Sequence, residues 1–326
     1  MKEQIIKEIE QQMSDFLNNE QKKKLSEVLK YVFFNIEIAK IDNRMMEETK
    51  DYEKLFLSSK RVEGCSERSL NYYKTTIDNM KEKINKKVNF IETDDVRKYL
   101  SDYQEESKCS KTTIDNIRRI LSSYFSWLED ENYIVKNPIR RIHKIKTAKL
   151  VKETFTDEEV ETMRDYCKGN RDLALIDFLY STGVRVGELV NVNIEDVNFE
   201  DRSCIVLGKG NKQREVYFDA RTKIHLQEYI NQRNDNNKAL FVSLQKPYNR
   251  LNISGVEIRL REIGKETNVN RVHPHKFRRT MATKAIDKGM PIEQVQVLLG
   301  HRKIDTTLEY AMVNQNNVKQ SYKKIY

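Results

Sequence analysis

The 326-residue chain has little cysteine, proline, glycine or tryptophan, and these shortages exclude several classes of protein. Its four cysteines (Cys65, Cys109, Cys167 and Cys204) lie far apart without a CxxC pair, which argues against a zinc ribbon or a disulfide framework. Four prolines and ten glycines beside 38% hydrophobic residues indicate a helix-rich globular chain. The mean hydropathy of −0.76 leaves no membrane-spanning stretch, and the charged first ten residues lack the apolar core of a secretion signal. We therefore expect a cytoplasmic protein of two or three domains.

The basic charge of the chain is unevenly distributed. The 59 Lys and Arg residues against 50 Asp and Glu give a formal net charge of +9. Residues 1–50 and 51–135 are each slightly acidic, whereas residues 136–149 carry six basic residues and no acidic one. The remaining excess lies after residue 149. This distribution predicts a local binding surface for a polyanion rather than a diffuse solubility charge.

The first 150 residues divide into three segments. Residues 1–50 show apolar positions at helical spacing and form a predicted helical extension. Residues 51–135 form a predicted compact helical domain whose helices open at Ser66, Thr93 and Ser110, since Ser and Thr cap free N–H groups. The basic faces of these helices are compatible with DNA binding or with solubility alone.

Residues 136–150 form a predicted basic interdomain linker, and Pro138 is expected to end the preceding helix. A uniformly basic linker can follow a phosphate backbone, although a solvated hinge has the same composition. The candidate DNA-binding residues here, called the linker cations below, are Arg140, Arg141, Lys144 and Lys146.

Residues 151–326 form a predicted α-rich domain with one small β element. Thr156 and Glu159 match a capping box, and the apolar helix around 173–180 is ended by Gly183. Strands at 203–207 and 214–218 flank a Gly/Asn turn, which predicts a hairpin. Helices are expected around 223–233, 256–266, 276–288 and 292–299, the last with Pro291 at its first position. The fold class is therefore mainly α with a small hairpin or sheet.

Six residues of this domain indicate a function only when they are taken together, in their order along the chain. They occur in the motifs TGVRVGEL, GKGNKQREV, HKFRR and LLGHRKIDTTLEY, and they are Arg185, Lys209, His275, Arg278, His301 and Tyr310. Together with the preceding helical domain, this order and spacing over residues 151–315 resembles the tyrosine recombinase family, the phage integrase and Xer-like site-specific recombinases. The chain departs from many relatives at Phe277 and Arg279, where Leu and His are common, and the resemblance does not cover residues 1–50.

The resemblance implies a mechanism that needs neither metal nor ATP nor another cofactor. Tyr310 would attack the phosphodiester, giving a 3′-phosphotyrosine and a free 5′-hydroxyl, with its phenol activated by the basic cluster. Arg185 and Arg278 would clamp the non-bridging oxygens with planar, permanently charged forks. Lys209 would protonate the leaving oxygen, His275 would assist proton transfer and His301 would hydrogen-bond the phosphate.

Several alternatives stay open at the level of single residues. Lys209 and Lys212 share the hairpin turn, and we assign the proton donor to Lys209 and DNA binding to Lys212. His273 and His275 could form a metal pair, but no Cys or carboxylate cluster flanks them, so no metal site is predicted. Glu188 is expected to orient Arg185 or pack its helix rather than act as a base.

The resemblance also implies partners. These are double-stranded DNA at specific recombination sites, a homotetramer on that DNA that forms a Holliday junction, and accessory DNA-bending proteins, with no membrane. The tail 311–326 would dock on a neighbouring protomer or pack on its own chain. Integration, excision, inversion and resolution are not distinguished. The rival functions are a type IB topoisomerase, which shares the phosphotyrosine chemistry, and a non-catalytic DNA-binding module.

Overall fold

The computed structural model describes residues 2–14, 16–34, 51–146, 153–208, 213–301, 303–304 and 307–308. The chain divides into two compact units, residues 1–148 and 149–326. Each unit has a hydrophobic core of its own. The predicted fold class, mainly helical with a small sheet, is confirmed.

The N-terminal extension forms two amphipathic helices that pack together, α1 (Lys2–Met13) and α2 (Asn19–Val32). A capping box starts α2, because Asn18 accepts from the backbone of Gln21 and the Gln21 side chain accepts from the Asn18 backbone. The predicted helices are thus confirmed over Lys2–Met13 and Asn19–Val32, and residues 35–50 lie outside the described part of the chain.

The helical bundle of the first unit surrounds one apolar core that includes Phe56, Ile77, Leu121 and Tyr124. Ser66 and Ser110 are N-caps as predicted, and each accepts from the backbone three residues on. The predicted cap at Thr93 is wrong by one position, because Glu92 is the N-cap residue and its N–H donates to the Asp95 carboxylate at 2.9 Å. The helices are α3 (Tyr52–Val62), α4 (Glu67–Ile84), α5 (Thr93–Ser107) and α6 (Lys111–Asp130).

The segment after α6 packs against its own unit. The prediction that Pro138 ends the preceding helix is wrong, since α6 ends at Asp130 and Asn132 turns the chain with a φ of +59°. Ile139 is buried, and the Ile145 N–H donates to the Asp115 carboxylate at 3.0 Å. The basic segment is therefore anchored to α6 at least as far as residue 145.

The second unit packs helices around a three-stranded antiparallel sheet, with α8 against α10 and α12. Thr156 and Glu159 form the predicted capping box, and Gly183 ends α8 in the left-handed conformation, as predicted. The helices are α7 (Asp157–Tyr166), α8 (Asn170–Thr182), α9 (Val186–Leu189), α10 (Ala220–Asn231), α11 (Ile253–Glu266), α12 (Pro274–Asp287) and α13 (Ile292–Leu299).

The sheet has the order β1–β2–β3, with β1 (Val197–Asn198), β2 (Ser203–Leu207) and β3 (Gln213–Tyr217). The hairpin prediction is confirmed with β3 shifted by one residue, and the short β1 was missed because two residues carry no alternation to detect. Pro291 is the N-cap of α13, one position earlier than expected. None of the described helices is long and apolar enough to cross a bilayer.

Candidate active site

Arg185 is placed by the turn that joins α8 to α9. Gly183 ends α8 with a φ of +60°, a conformation that favours glycine, and a Cβ there would lie 2.2 Å from the Met281 Cε. Two residues later Arg185 caps α9, and its side chain stays partly exposed. Its backbone N–H and its Nη1 donate to the two oxygens of Glu188, each at 2.8 Å. Glu188 orients Arg185, as expected from the sequence.

Among the candidate catalytic side chains that the structure describes, Arg278 is the most enclosed, at 1% exposure. It lies on α12, where its Nη1 donates to the Gly183 carbonyl at 2.7 Å. Its Nη2 donates to the Leu299 carbonyl at 2.5 Å and contacts the His301 Nε2 at 3.0 Å. A guanidinium held by three fixed partners keeps one orientation, which is what a preorganised charge clamp requires.

Residues 153–155, which precede α7, pack against α12. The Phe155 ring lies 4.7 Å from that of Phe277, and its N–H donates to the Thr280 hydroxyl at 2.9 Å. Arg279 donates to the Glu153 carbonyl at 2.5 Å. The two residues at which the chain departs from many relatives, Phe277 and Arg279, therefore both hold this segment against the helix that carries Arg278.

Three arginines donate hydrogen bonds to carbonyls at the C-terminal end of α13. Its last carbonyls have no partner within the helix and carry the negative end of the helix dipole. Arg214 donates to the Leu298 carbonyl at 2.9 Å, and Arg185 donates to the Gly300 carbonyl at 3.3 Å. The Leu299 carbonyl between them accepts from Arg278. Gly300 ends the helix at a φ of +63°, so the LLGH motif supplies three successive acceptors for guanidinium groups.

His301 follows this turn and is held at both ring nitrogens. Its Nε2 faces Arg278, which can only donate, so Nε2 must be the acceptor and Nδ1 must carry the proton. The Nδ1–H therefore donates to the hydroxyl of the buried Thr307 at 2.9 Å. Burial first, and then the positive charges of Arg278, Arg185 and Arg214, lower the pKa of His301 to about 4. His301 is neutral at physiological pH.

Glu188 is the one acidic group that the described residues place among these arginines. Burial by itself would raise its pKa, but the hydrogen bonds from Arg214 and from the Arg185 backbone outweigh that effect and the pKa is lowered. Glu188 is therefore an anion. With His301 neutral, three arginines and one carboxylate leave a net charge of about +2. That charge suits the phosphorane-like transition state of phosphodiester cleavage, where negative charge accumulates.

The structure brings together three of the six predicted catalytic residues: Arg185, Arg278 and His301. His275 lies one turn before Arg278 on α12, with an exposed side chain. Lys209, Lys212 and Tyr310 lie outside the described residues, so their assignments stay predictions.

In the first unit all four linker cations are exposed, and Arg140 is paired with Glu129 at 2.6 Å. The described residues contain no group of three or more His, Cys, Asp or Glu placed to hold a metal.

Sequence reasoning missed Arg214. It faces inward on β3 with Val216, opposite the buried Val206 on β2, where an apolar side chain would be expected. A cation at an inward position of a strand was the available signal, because such a group needs a buried anionic partner. Here that partner is Glu188.

Comparisons with known proteins follow the same two units. Residues 153–317 match the sequence profile of the Phage integrase family, and residues 53–134 match the Phage integrase, N-terminal SAM-like domain. Tyrosine recombinase XerC of Staphylococcus aureus (strain MRSA252) is 32% identical over 286 residues, which cover 83% of this chain and 94% of the relative. Tyrosine recombinase XerC of Oceanobacillus iheyensis is 31% identical over 242 residues, covering 71% and 79%.

Solved structures share the fold at lower identity. A XerH site-specific recombinase bound to palindromic difH substrate, in a post-cleavage complex, aligns with a TM-score of 0.67 at 19% identity, covering 97% of this chain and 94% of that one. A lambda integrase (75–356) dimer bound to a COC' core site aligns with a TM-score of 0.67 at 18% identity, covering 81% and 95%.

Proposed function

This chain belongs to the phage integrase family of tyrosine recombinases, and from that membership we propose how its own residues carry out site-specific DNA recombination. The enzyme acts on DNA through the phosphotyrosine chemistry of its family. The observation that carries the proposal is the convergence of Arg185 and Arg278 on the C-terminal turn of α13. The family match and the relatives named above do not favour the topoisomerase or the non-catalytic alternative.

The two arginines bind the scissile phosphate. Arg185 is the more accessible and meets a non-bridging oxygen first, while Arg278 supplies a second, buried charge behind it. Both remain protonated throughout the reaction because an arginine does not lose its charge in proteins. Their positions are fixed before DNA arrives, so little reorganisation is needed as charge develops on phosphorus.

Tyr310 is the proposed nucleophile, forming a 3′-phosphotyrosine and releasing a 5′-hydroxyl. Lys209 donates the proton to that leaving oxygen and His275 assists proton transfer. Attack by the 5′-hydroxyl of a partner strand then rejoins the DNA and regenerates Tyr310. Because the phosphodiester bond energy is kept in the covalent intermediate, the cycle balances without ATP.

His301 has to change partner before it can hydrogen-bond the phosphate. In the structure its Nε2 accepts from Arg278, and its only ring N–H faces Thr307. A phosphate oxygen that takes up the Arg278 donor releases Nε2. When the ring proton moves from Nδ1 to Nε2 through solvent, Nε2 donates to the phosphate and Nδ1 accepts from the Thr307 hydroxyl. His301 thereby senses whether Arg278 is engaged with the substrate.

DNA reaches the first unit through the linker cations, and Lys212 adds a contact from the hairpin. The assembly proposed is a homotetramer on two recombination sites that passes through a Holliday junction, with accessory DNA-bending proteins as further partners. The place of action is the cytoplasm of a bacterial cell, as suggested by the bacterial relatives.

A nicked suicide duplex tests the proposal directly, because loss of a short 5′-hydroxyl fragment traps the covalent intermediate. Wild-type protein is expected to give a denaturation-resistant protein–DNA adduct, and Tyr310→Phe is expected to bind the same site without one. Tyr322→Phe, which removes another C-terminal phenol, serves as the matched control and should still give the adduct. An adduct in Tyr310→Phe would refute the assignment of the nucleophile.

A further inference from the structure

Among the described residues of the active site, Arg214 and Glu188 form the ion pair with the shortest distance. Its two terminal nitrogens donate to the two Glu188 oxygens at 2.6 and 2.7 Å, in the parallel arrangement that gives a guanidinium–carboxylate pair its strength. Both side chains are enclosed, with 12% of Arg214 and 4% of Glu188 exposed. Such a pair is little screened by solvent, so removing one partner leaves an uncompensated buried charge.

The position of Arg214 in the fold connects it to the rest of the site. It is the second residue of β3, two positions after the segment 209–212 that contains Lys209 in the sequence. Its Nε donates to the Leu298 carbonyl, and the Gly300 backbone leaves room for its Cδ, since a Cβ there would lie 3.1 Å away. One side chain thus joins the hairpin, α9 and the C-terminal turn of α13.

The charge balance gives Arg214 a specific task. Glu188 accepts from Arg185 as well, so by itself it would neutralise the arginine that first meets the substrate. Because Arg214 contributes its own positive charge to the same carboxylate, Glu188 orients Arg185 without cancelling its charge. Glu188 and Arg214 together form a neutral support.

We propose that Arg214 is a positioning residue of the recombination reaction: it neutralises and holds Glu188, so that Arg185 keeps both its orientation and its charge for the scissile phosphate. The inference rests on the proposed role of Arg185. Three of the five N–H groups of Arg214 are used by Glu188 and Leu298, and only 12% of its side chain is exposed, so we assign it a positioning role rather than a contact with the substrate.

Single-turnover cleavage of the nicked duplex tests this role. Arg214→Gln is expected to slow adduct formation roughly tenfold to a hundredfold, while the Kd for the site changes less than about threefold. Arg214→Lys should recover part of the rate, because it restores the charge without the fork. In Glu188→Gln/Arg214→Gln, the uncompensated carboxylate is gone, and adduct formation should be faster than in Arg214→Gln alone.

Arg233 provides the matched structural control. Its side chain is also enclosed, paired with the Asp235 carboxylate and hydrogen-bonded to the carbonyls of Ala239 and Asn237, but it takes no part in the active site. Arg233→Gln tests whether loss of any such pair slows cleavage. A rate loss equal to that of Arg214→Gln in folded Arg233→Gln protein would refute a positioning role.

The pKa of His301 offers a second measurement that general destabilisation would not reproduce. Loss of the Arg214 charge should raise it, and an NMR titration of the ring Cε1 proton measures it in the whole protein. Wild-type cleavage rate in Arg214→Gln, an unchanged His301 pKa, or a double variant no faster than the single one would overturn the inference. Absence of any adduct with wild-type protein would instead overturn the proposed function, and this inference with it.

Discussion

Protonation of His301 should lower the folding stability of the second unit at acidic pH. Its pKa is about 4 in the folded protein against an ordinary value of 6.5, so the unfolded chain binds the proton first as the pH falls. The contribution of His301 to stability is therefore complete above about pH 6.5 and is lost as the pH falls through about 4. A proton on Nε2 would face the Arg278 guanidinium without an acceptor.

The size of the effect follows from linkage. A group with these two pKa values loses at most about 2 kcal/mol of folding free energy between pH 7 and pH 5. Because the ring is only partly buried, solvent screening reduces this to about 1 kcal/mol. In His301→Gln the amide can keep a hydrogen bond but does not titrate, so this part of the pH dependence should disappear.

Two measurements check the prediction. Urea unfolding of wild type and His301→Gln, followed by circular dichroism at pH 5, 6 and 7, should show a steeper loss of stability in the wild type. An NMR titration of the five histidines, with the His301 signal identified by its absence in the variant, should give a pKa near 4. A His301 pKa above 6, or parallel pH profiles for the two proteins, would refute the reasoning.

Three further perturbations probe the same architecture. Gly300→Ala places a Cβ on a residue in the left-handed conformation, 3.1 Å from the Arg214 Cδ, so it should lower the folding free energy by about 1–2 kcal/mol and slow cleavage. Gly289→Ala, at a φ of +93° with no neighbour within 4 Å, should lower stability by a similar amount and leave the cleavage rate unchanged. Phe155→Ala removes a buried ring packed on Phe277 and should destabilise the second unit by about 3–5 kcal/mol in urea unfolding; a loss below about 1 kcal/mol would contradict the described packing. Replacing the linker cations by Gln should weaken binding to specific and random duplexes alike. The slope of log K against log salt concentration should become shallower by about 0.9 for each phosphate that is no longer neutralised, and an unchanged slope would show that these residues do not contact DNA.

Much of the fold was predictable because its signals are local. Ser66, Ser110 and Thr156 start helices through hydrogen bonds to backbone only three residues away. Gly183 ends a helix through its own φ angle. The end of α6 was misplaced for a related reason: Pro138 is a strong local signal, but the chain had already turned at Asn132, which adopts the left-handed conformation without being glycine.

The candidate site was predictable only as an ordered set of motifs, and the sequence by itself determined which residue types those motifs contain and in what order. Only the tertiary structure decided their contacts. The carbonyls of residues 298–300 meet arginines at the start of α9, in β3 and in α12, and Arg185 lies 115 positions along the chain from the Gly300 carbonyl that it contacts. Arg214 was missed because its role depends on Glu188, 26 residues away, and on the end of α13, 84 residues away. Charge compensation between such distant groups has no local pattern, since it exists only when folding brings them into one buried volume.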